Sequence, residues 1–475
     1  MKQIRHRTGA VTEMEQTTAK KNKYEIDMCN GTIMDKLISF SLPLMLSGIL
    51  QLMFNAVDII VVGRFSGSQA LAAVGSTSAL INVFTNLFIG ISLGANVLTA
   101  RFYAAGREKE VSETVHTAIT LALVSGIVMA LVGLVFSRGA LALMGTPDDV
   151  IGLSALYMRI YFLGMPFFML YNYGAAILRA VGDTKRPLLF LMIAGVINAC
   201  LNMVLVIVFK LGVAGVAIAT VISQMISCVL VLRCLCRSES SYRLRFSELG
   251  MKGYYLKQIF SVGVPAGIQS TVINFSNVLL QSSVNSFGSM AMAGYTAANN
   301  LLGFLYVSVN SITQACMSFT SQNYGVGKLK RMDRVLADCM ILSVVVAVVL
   351  GCICYGFGPE ILQIYTEDAE VIACGMEILA YTTITYFLCG WMDLFPGALR
   401  GMGYSAVPMV LSVIGTVGTR VVWIFGIFPY HRSLAILFIS YPVSWIITII
   451  LQVVCFYFVR RRVHRRSQAL AGQEG

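Results

Sequence analysis

The chain has 475 residues, of which 57% are hydrophobic and only 12% charged, with a mean hydropathy of +0.76 and a formal net charge of +12. Ordinary soluble domains carry about 25% charged residues, so this composition excludes a soluble globular protein and points to a chain that crosses a membrane many times. The positive balance does not call for nucleic acid, because the basic residues sit in the gaps between apolar stretches rather than in one patch.

Residues 1–36 are polar and charged and contain no apolar run. They do not resemble a cleaved signal peptide and are read as a cytoplasmic N-terminal segment. Twelve apolar stretches follow, at 38–61, 72–100, 113–137, 152–173, 187–209, 213–235, 258–283, 293–321, 335–357, 371–395, 406–428 and 434–459. Each is long enough to cross a hydrocarbon layer about 30 Å thick as a helix. The predicted fold is an all-α polytopic membrane protein. Six helices occupy 37–236, a polar linker runs over 237–257, six more helices occupy 258–459, and a basic tail covers 460–475.

The two sets of six are copies. Arg179, Gly182 and Pro187 return as Arg400, Gly403 and Pro408, each 221 positions later, and Pro43 returns as Pro265 with one residue of slippage. Tyr103-Ala104-Ala105-Gly106-Arg107 returns as Tyr324-Gly325-Val326-Gly327-Lys328 at the same shift. An even number of helices per copy inserts both the same way up, the parallel kind of transporter repeat.

Loops on the side of the N-terminus hold Lys185 and Arg186, Arg237 to Lys252, Lys328 to Arg334, and Arg460 to Arg466, whereas the opposite loops gather Glu360, Glu367, Asp368 and Glu370. The positive-inside rule therefore places both termini in the cytoplasm. Basic residues along that rim also favour contact with anionic membrane lipids.

Most of the twelve cysteines lie in apolar helices and none forms a CxxC pair, so they read as small packing residues. The four histidines are scattered over termini, loops and helix ends. No metal site and no cofactor are expected, and no Walker loop, GxSxG or HExxH motif supports ATP hydrolysis or peptidase chemistry.

Polarity inside the spans is the informative signal. Of 23 acidic residues only Asp58 and Asp393 lie deep in predicted helices, with Asp338 and Glu377 nearer helix ends. A charge at the bilayer centre costs about 2.5–3.5 kcal/mol on insertion scales, so such groups usually face a cavity and have a function. Ser47, Gln51, Asn55 and Asp58 fall on one stripe of the first helix, and Ser270, Asn274, Asn277 and Gln281 form a stripe on the seventh. The acid is not duplicated, since no Asp or Glu occurs between Glu248 and Asp333. Asn198 and Asn202, then Thr220, Ser223 and Gln224, add polar groups on the fifth and sixth helices. Polar residues also join membrane helices without further function, at about 0.6 kcal/mol per contact.

The proline-led first helix ending in Asn55-Ala56-Val57-Asp58, the segment Leu178-Arg179-Ala180-Val181-Gly182-Asp183-Thr184-Lys185-Arg186-Pro187, and the run from Gly212 to Gln224 resemble the multidrug and toxic compound extrusion (MATE) transporters. The likeness extends from about Lys36 to Arg460. It implies two six-helix lobes around a central cleft that opens alternately to each face, and export of organic cations against inward H⁺ or Na⁺, by a monomer in the cell membrane. It also implies a cation-coupling site at Asp58, Asn198, Asn202 and Thr220. Many relatives carry Asp where this chain has Asn202, which lowers the expectation of tight Na⁺ binding and favours a single protonatable Asp58. Some carry Glu on the seventh helix, where this chain has Asn274.

The cleft is expected to be lined by Gln51, Asn55, Asn274, Asn277, Gln281 and Asp393, together with adaptable Met53, Phe54, Phe168, Tyr171, Tyr306 and Met317. Asp393 has two readings: the carboxylate of the second half, or a structural partner of Arg420. An alternative function is a flippase for lipid-linked saccharides or lipids, which calls for several basic residues in the cleft. An intramembrane enzyme lacks a recognisable catalytic motif.

Overall fold

In lipid every backbone N–H and C=O must be paired within the segment, and the apolar stretches accordingly form long helices. The computed structural model describes residues 24–364 and 366–471. In the first half α1 spans Met34–Phe65, α2 Ser68–Ala104 and α3 Glu108–Leu143. Then α4 is made of Asp148–Leu163 and Met165–Ala180, α5 runs over Lys185–Asn202 and on through a wider π turn at Met203–Val208, and α6 spans Gly212–Cys236. The second half repeats the order with α7 (Gly253–Asn285), α8 (Ser289–Gly325), α9 (Leu329–Gly356), α10 (Ala369–Thr382 and Tyr386–Gly401), α11 (Ala406–Ile427) and α12 (Leu434–Ala471).

Two expected single helices are broken. The pieces of α4 meet at 47° and those of α10 at 51°. Pro166 cannot donate to the preceding turn of α4. In α10 the hydroxyls of Thr382, Thr383 and Thr385 donate back to the carbonyls of Ile378, Leu379 and Tyr381, a pattern that bends helices. Among the described residues eight helices are long and apolar enough to cross a membrane, or ten with each bent pair taken as one span. The remaining two, α7 and α8, have the length but carry rows of Ser, Asn and Gln that lower their hydropathy.

Each half has its own apolar core, one among α1 to α6, which Val61 and Val62 near the end of α1 join, and one among α7 to α12. The first turns of α1 and α7 do not follow this division. Leu37, Phe40 and Leu44 of α1 are buried with Ile312, Phe319 and Leu336 of α8 and α9, while Tyr255 and Ile259 of α7 join the core of the first half. α2 and α7 touch backbone to backbone: a Cβ on Gly90 would sit 2.3 Å from Cα of Gly267.

The halves are sealed at the end that carries the termini. There Ser318 donates to Asn96 Oδ1 (3.1 Å), Ser321 to the Val97 carbonyl (2.6 Å) and Gln322 to the Ala180 carbonyl (2.7 Å). Toward the other end the polar faces of α1, α7 and α8 are uncovered, with Gln51, Asn55, Asn274, Asn299 and Asn300 all exposed. The cleft therefore opens away from the termini.

Candidate cation-coupling and substrate site

Asp58 lies near the end of α1, one stripe with Gln51 and Asn55, and its carboxylate is half-buried where α1 meets α5 and α6. Asn202 is the last α-helical residue of α5 before the π turn at Met203–Val208. Such turns widen a helix by one residue and recur at functional sites. Here the wider turn adjoins the residue that reaches Asp58.

The Asn202 amide Nδ2 donates to Asp58 Oδ1 and also to Asn198 Oδ1 at 3.2 Å. Both asparagines are buried, and among the described residues Asn202 Oδ1 has no hydrogen-bond partner. From α6 the Thr220 hydroxyl donates to the Val216 carbonyl at 2.9 Å and lies within hydrogen-bonding reach of the Asp58 carboxylate. The four residues expected to act together are thus brought to one point. As oriented, Asn202 turns its NH₂ toward Asp58, an arrangement suited to a carboxylate. A metal ion would require its carbonyl oxygen instead.

Three more residues belong to this neighbourhood. Tyr157 and Tyr161 of α4 are stacked with centroids 6.2 Å apart and lie within electrostatic range of Asp58, and Gln224 of α6 hydrogen-bonds Tyr161. The tyrosines were legible only as an i, i+4 pair on a helix that also carries Arg159 between them.

The second half is built differently. Arg420 of α11 is buried; its Nη1 donates to Asn277 Oδ1 (2.7 Å) and Ser276 Oγ (3.3 Å), and its guanidinium lies over the Tyr441 ring at 4.6 Å. Asn277 therefore serves Arg420, while Asn274 on the same stripe is exposed and Gln281 half-buried. Among the described residues Asp393 makes no ion pair with Arg420. The charge acting on it is Arg400 of the same helix, and Arg400 Nη2 is itself bonded to Gln269 Oε1 at 2.6 Å.

The adaptable apolar lining is smaller than expected. Met53 and Tyr306 are exposed, but Tyr171 and Met317 are buried and do not line the cleft. Phe54 packs against Gly195 of α5, where an added Cβ would meet its ring at 1.8 Å. His116, expected at a helix end, is buried inside α3. Its Nδ1 contacts the Ser112 carbonyl at 2.7 Å and its Nε2 accepts the Arg245 backbone N–H at 3.0 Å, tying the linker to the first half.

The MatE family model matches residues 43–204 and 265–425, one match in each half. The chain is similar to the probable multidrug resistance protein YoeA of Bacillus subtilis strain 168, 32% identical over 434 residues, which is 89% of this chain and 93% of that one. It is also similar to the probable multidrug resistance protein YpnP of the same strain, 27% identical over 389 residues, 82% of this chain and 87% of that one. Its fold matches an outward-facing structure of a multidrug resistance MATE family transporter of the MOP superfamily with a TM-score of 0.85 at 19% identity, over 94% of this chain and all of that one (100%). With the family model matched in both halves and a relative 32% identical over 89% of this chain, the chain belongs to the MatE family of multidrug and toxic compound extrusion transporters.

Proposed function

We propose that this protein exports organic cations across the cell membrane by exchange with H⁺, its two halves rocking to open the cleft to either face, with both termini in the cytoplasm. The observation that carries the reading is Asp58: an intramembrane carboxylate bonded by Asn202, with the Thr220 hydroxyl within reach, beside a cleft face where Gln51 and Asn55 are exposed. The similarity to multidrug resistance proteins supports the substrate class.

The chemistry is a competition. A proton on Asp58 removes the charge that an organic cation requires, and a bound cation favours the deprotonated acid. Neutralising the acid also changes whether the α1–α5–α6 contact prefers water or a dry surface, which biases one arrangement of the halves over the other. H⁺ is favoured over Na⁺ because Asp58 is the one carboxylate in the cluster and Asn202 presents a donor to it. Met53 and Tyr306 supply exposed soft and aromatic surface for varied cations. The protein is read as a monomer in contact with anionic lipid along its basic rim. The flippase alternative is disfavoured, since the deep Arg400 and Arg420 are buried and bonded to Gln269, Ser276 and Asn277 rather than lining the cleft.

Everted vesicles with an acidic lumen should accumulate a fluorescent organic cation in the absence of Na⁺. Uptake that requires a Na⁺ gradient and ignores ΔpH would overturn the H⁺ assignment.

A further inference from the structure

The segment 24–33, just before α1, bridges the two halves at their sealed end. On the side of the first half, the hydroxyls of Tyr103 and of Tyr242, a linker residue buried in the first-half core, both donate to the Glu25 carboxylate at 2.7 Å, one to each oxygen, and the Ile26 N–H donates to the Gly182 carbonyl at 3.3 Å. Gly182, with φ of +99°, leaves room for this contact: a Cβ there would lie 2.5 Å from the Ile26 carbonyl oxygen. On the second half, Asn323 Nδ2 and Arg331 Nε donate to the Met28 carbonyl at 3.1 and 3.3 Å. The other Arg331 nitrogens reach the Gly31 and Asn30 carbonyls at 2.8 and 3.0 Å, and Lys328 Nζ reaches the Cys29 carbonyl at 3.0 Å. Met28 between them is fully buried, packed with Leu37 and Phe319 in the core that α1 shares with α8.

These contacts fall on the repeated turns at Gly182 and Asn323–Lys328, the points that must separate if the halves part on this side. Directly beneath lies the seal of Asn96, Ser318, Ser321 and Gln322. The two ends of the segment are held unequally. The second-half end has a buried side chain and a fan of charge-assisted bonds from Lys328 and Arg331. The first-half end rests chiefly on one carboxylate between two tyrosines, with an Arg186–Tyr24 stacking contact at 5.5 Å beside it. Apart from Tyr242, the linker before α7 shows no such division: its polar ties from Arg245 to His116 and from Lys252 to Thr117 go to the first half.

We propose that residues 24–31 form a latch that stays fixed to the second half and engages the first through Glu25, holding the cleft shut on the side of the termini. Opening on that side requires Glu25 to leave Tyr103 and Tyr242. The latch thereby sets how the population divides between the two openings. This rests on alternating access of the halves but not on which ion drives it, and its test reads accessibility rather than transport.

In the full-length chain without native cysteines, Ser321→Cys reports on the seal and Asn299→Cys on the open end, each followed by its rate of alkylation by N-ethylmaleimide in membranes. Glu25→Ala, and separately Tyr103→Phe with Tyr242→Phe, which keep the rings, should raise labelling at position 321 by about tenfold, the scale expected for a lost charge-assisted hydrogen bond. Labelling at position 299 should fall at the same time. Unchanged rates at both positions in both variants would overturn the latch. So would a rise at both positions, because it would mean general loosening rather than a shift between two openings.

Discussion

Asp58, Asn198, Asn202 and Thr220 of the first half correspond across the repeat to Leu280, Thr419, Trp423 and Tyr441 of the second. Where one half places a half-buried carboxylate among amides and a hydroxyl, the other places a buried leucine. In the same half Arg420 is buried, stacked on the very tyrosine that stands for Thr220 and bonded to Ser276 and Asn277. Even the wider π turn is shared, following Asn202 in α5 and starting at Trp423 in α11. Duplication has kept the backbone device and changed the sign of the charge it carries. The lesson is that the fold supplies two equivalent positions, and single residues decide which of them carries a negative charge. In the second half the positive charge is spread over Ser276, Asn277 and Tyr441 and so can stay in the membrane with no counter-ion in contact among the described residues.

The sharpest way to break this comparison is Asp58→Asn, which makes both positions non-acidic. Proton-driven cation uptake should fall by about a hundredfold, near the upper end of typical coupling free energies, while the protein still inserts. Vesicle uptake together with membrane abundance checks this, and normal uptake by the variant would remove Asp58 from coupling. Arg420→Gln tests the other half by removing its positive charge. Apparent affinity for a monovalent organic cation should rise by about threefold, under about 1 kcal/mol, since a water-filled cleft screens the charge. A concentration series of uptake measures it, and an unchanged midpoint would show that the opposite sign is electrostatically silent. Asp393→Asn should have the smallest effect, altering relative rates among several cations by about twofold with coupling to ΔpH intact. An identical profile across the panel would leave Asp393 a structural residue held in the field of Arg400.

Much of this architecture was legible in the chain. Lipid forces apolar stretches into helices, so twelve helices could be read from hydropathy, and an exact 221-residue echo at Arg179 and Arg400 required two like-oriented halves. The stripe of α1 followed from helical spacing alone. Asp58 stood out because an acid in a membrane helix is costly, and its partners on α5 and α6 came from the family resemblance. What could not be read were contacts between helices far apart in sequence. Asn277 looked like cleft lining and is bonded to Arg420; Tyr171 and Met317 looked like lining and are buried. Periodicity tells which face of a helix is polar, but not whether that face meets water, a neighbouring guanidinium or another helix.

The sequence by itself determined the solvent, the helix count, the repeat and the deep acids that break its symmetry, Asp58 above all, because each is written in local composition and spacing. Only the tertiary structure decided that α1 and α7 begin in the core of the opposite half, that the cleft is shut at the end of the termini, and that a polar lead-in at 24–33 ties the halves together there. The physical reason is the same in all three cases. They depend on which surfaces fit against each other, and backbone approaches as close as that of Gly90 and Gly267 leave no periodic signal in the chain.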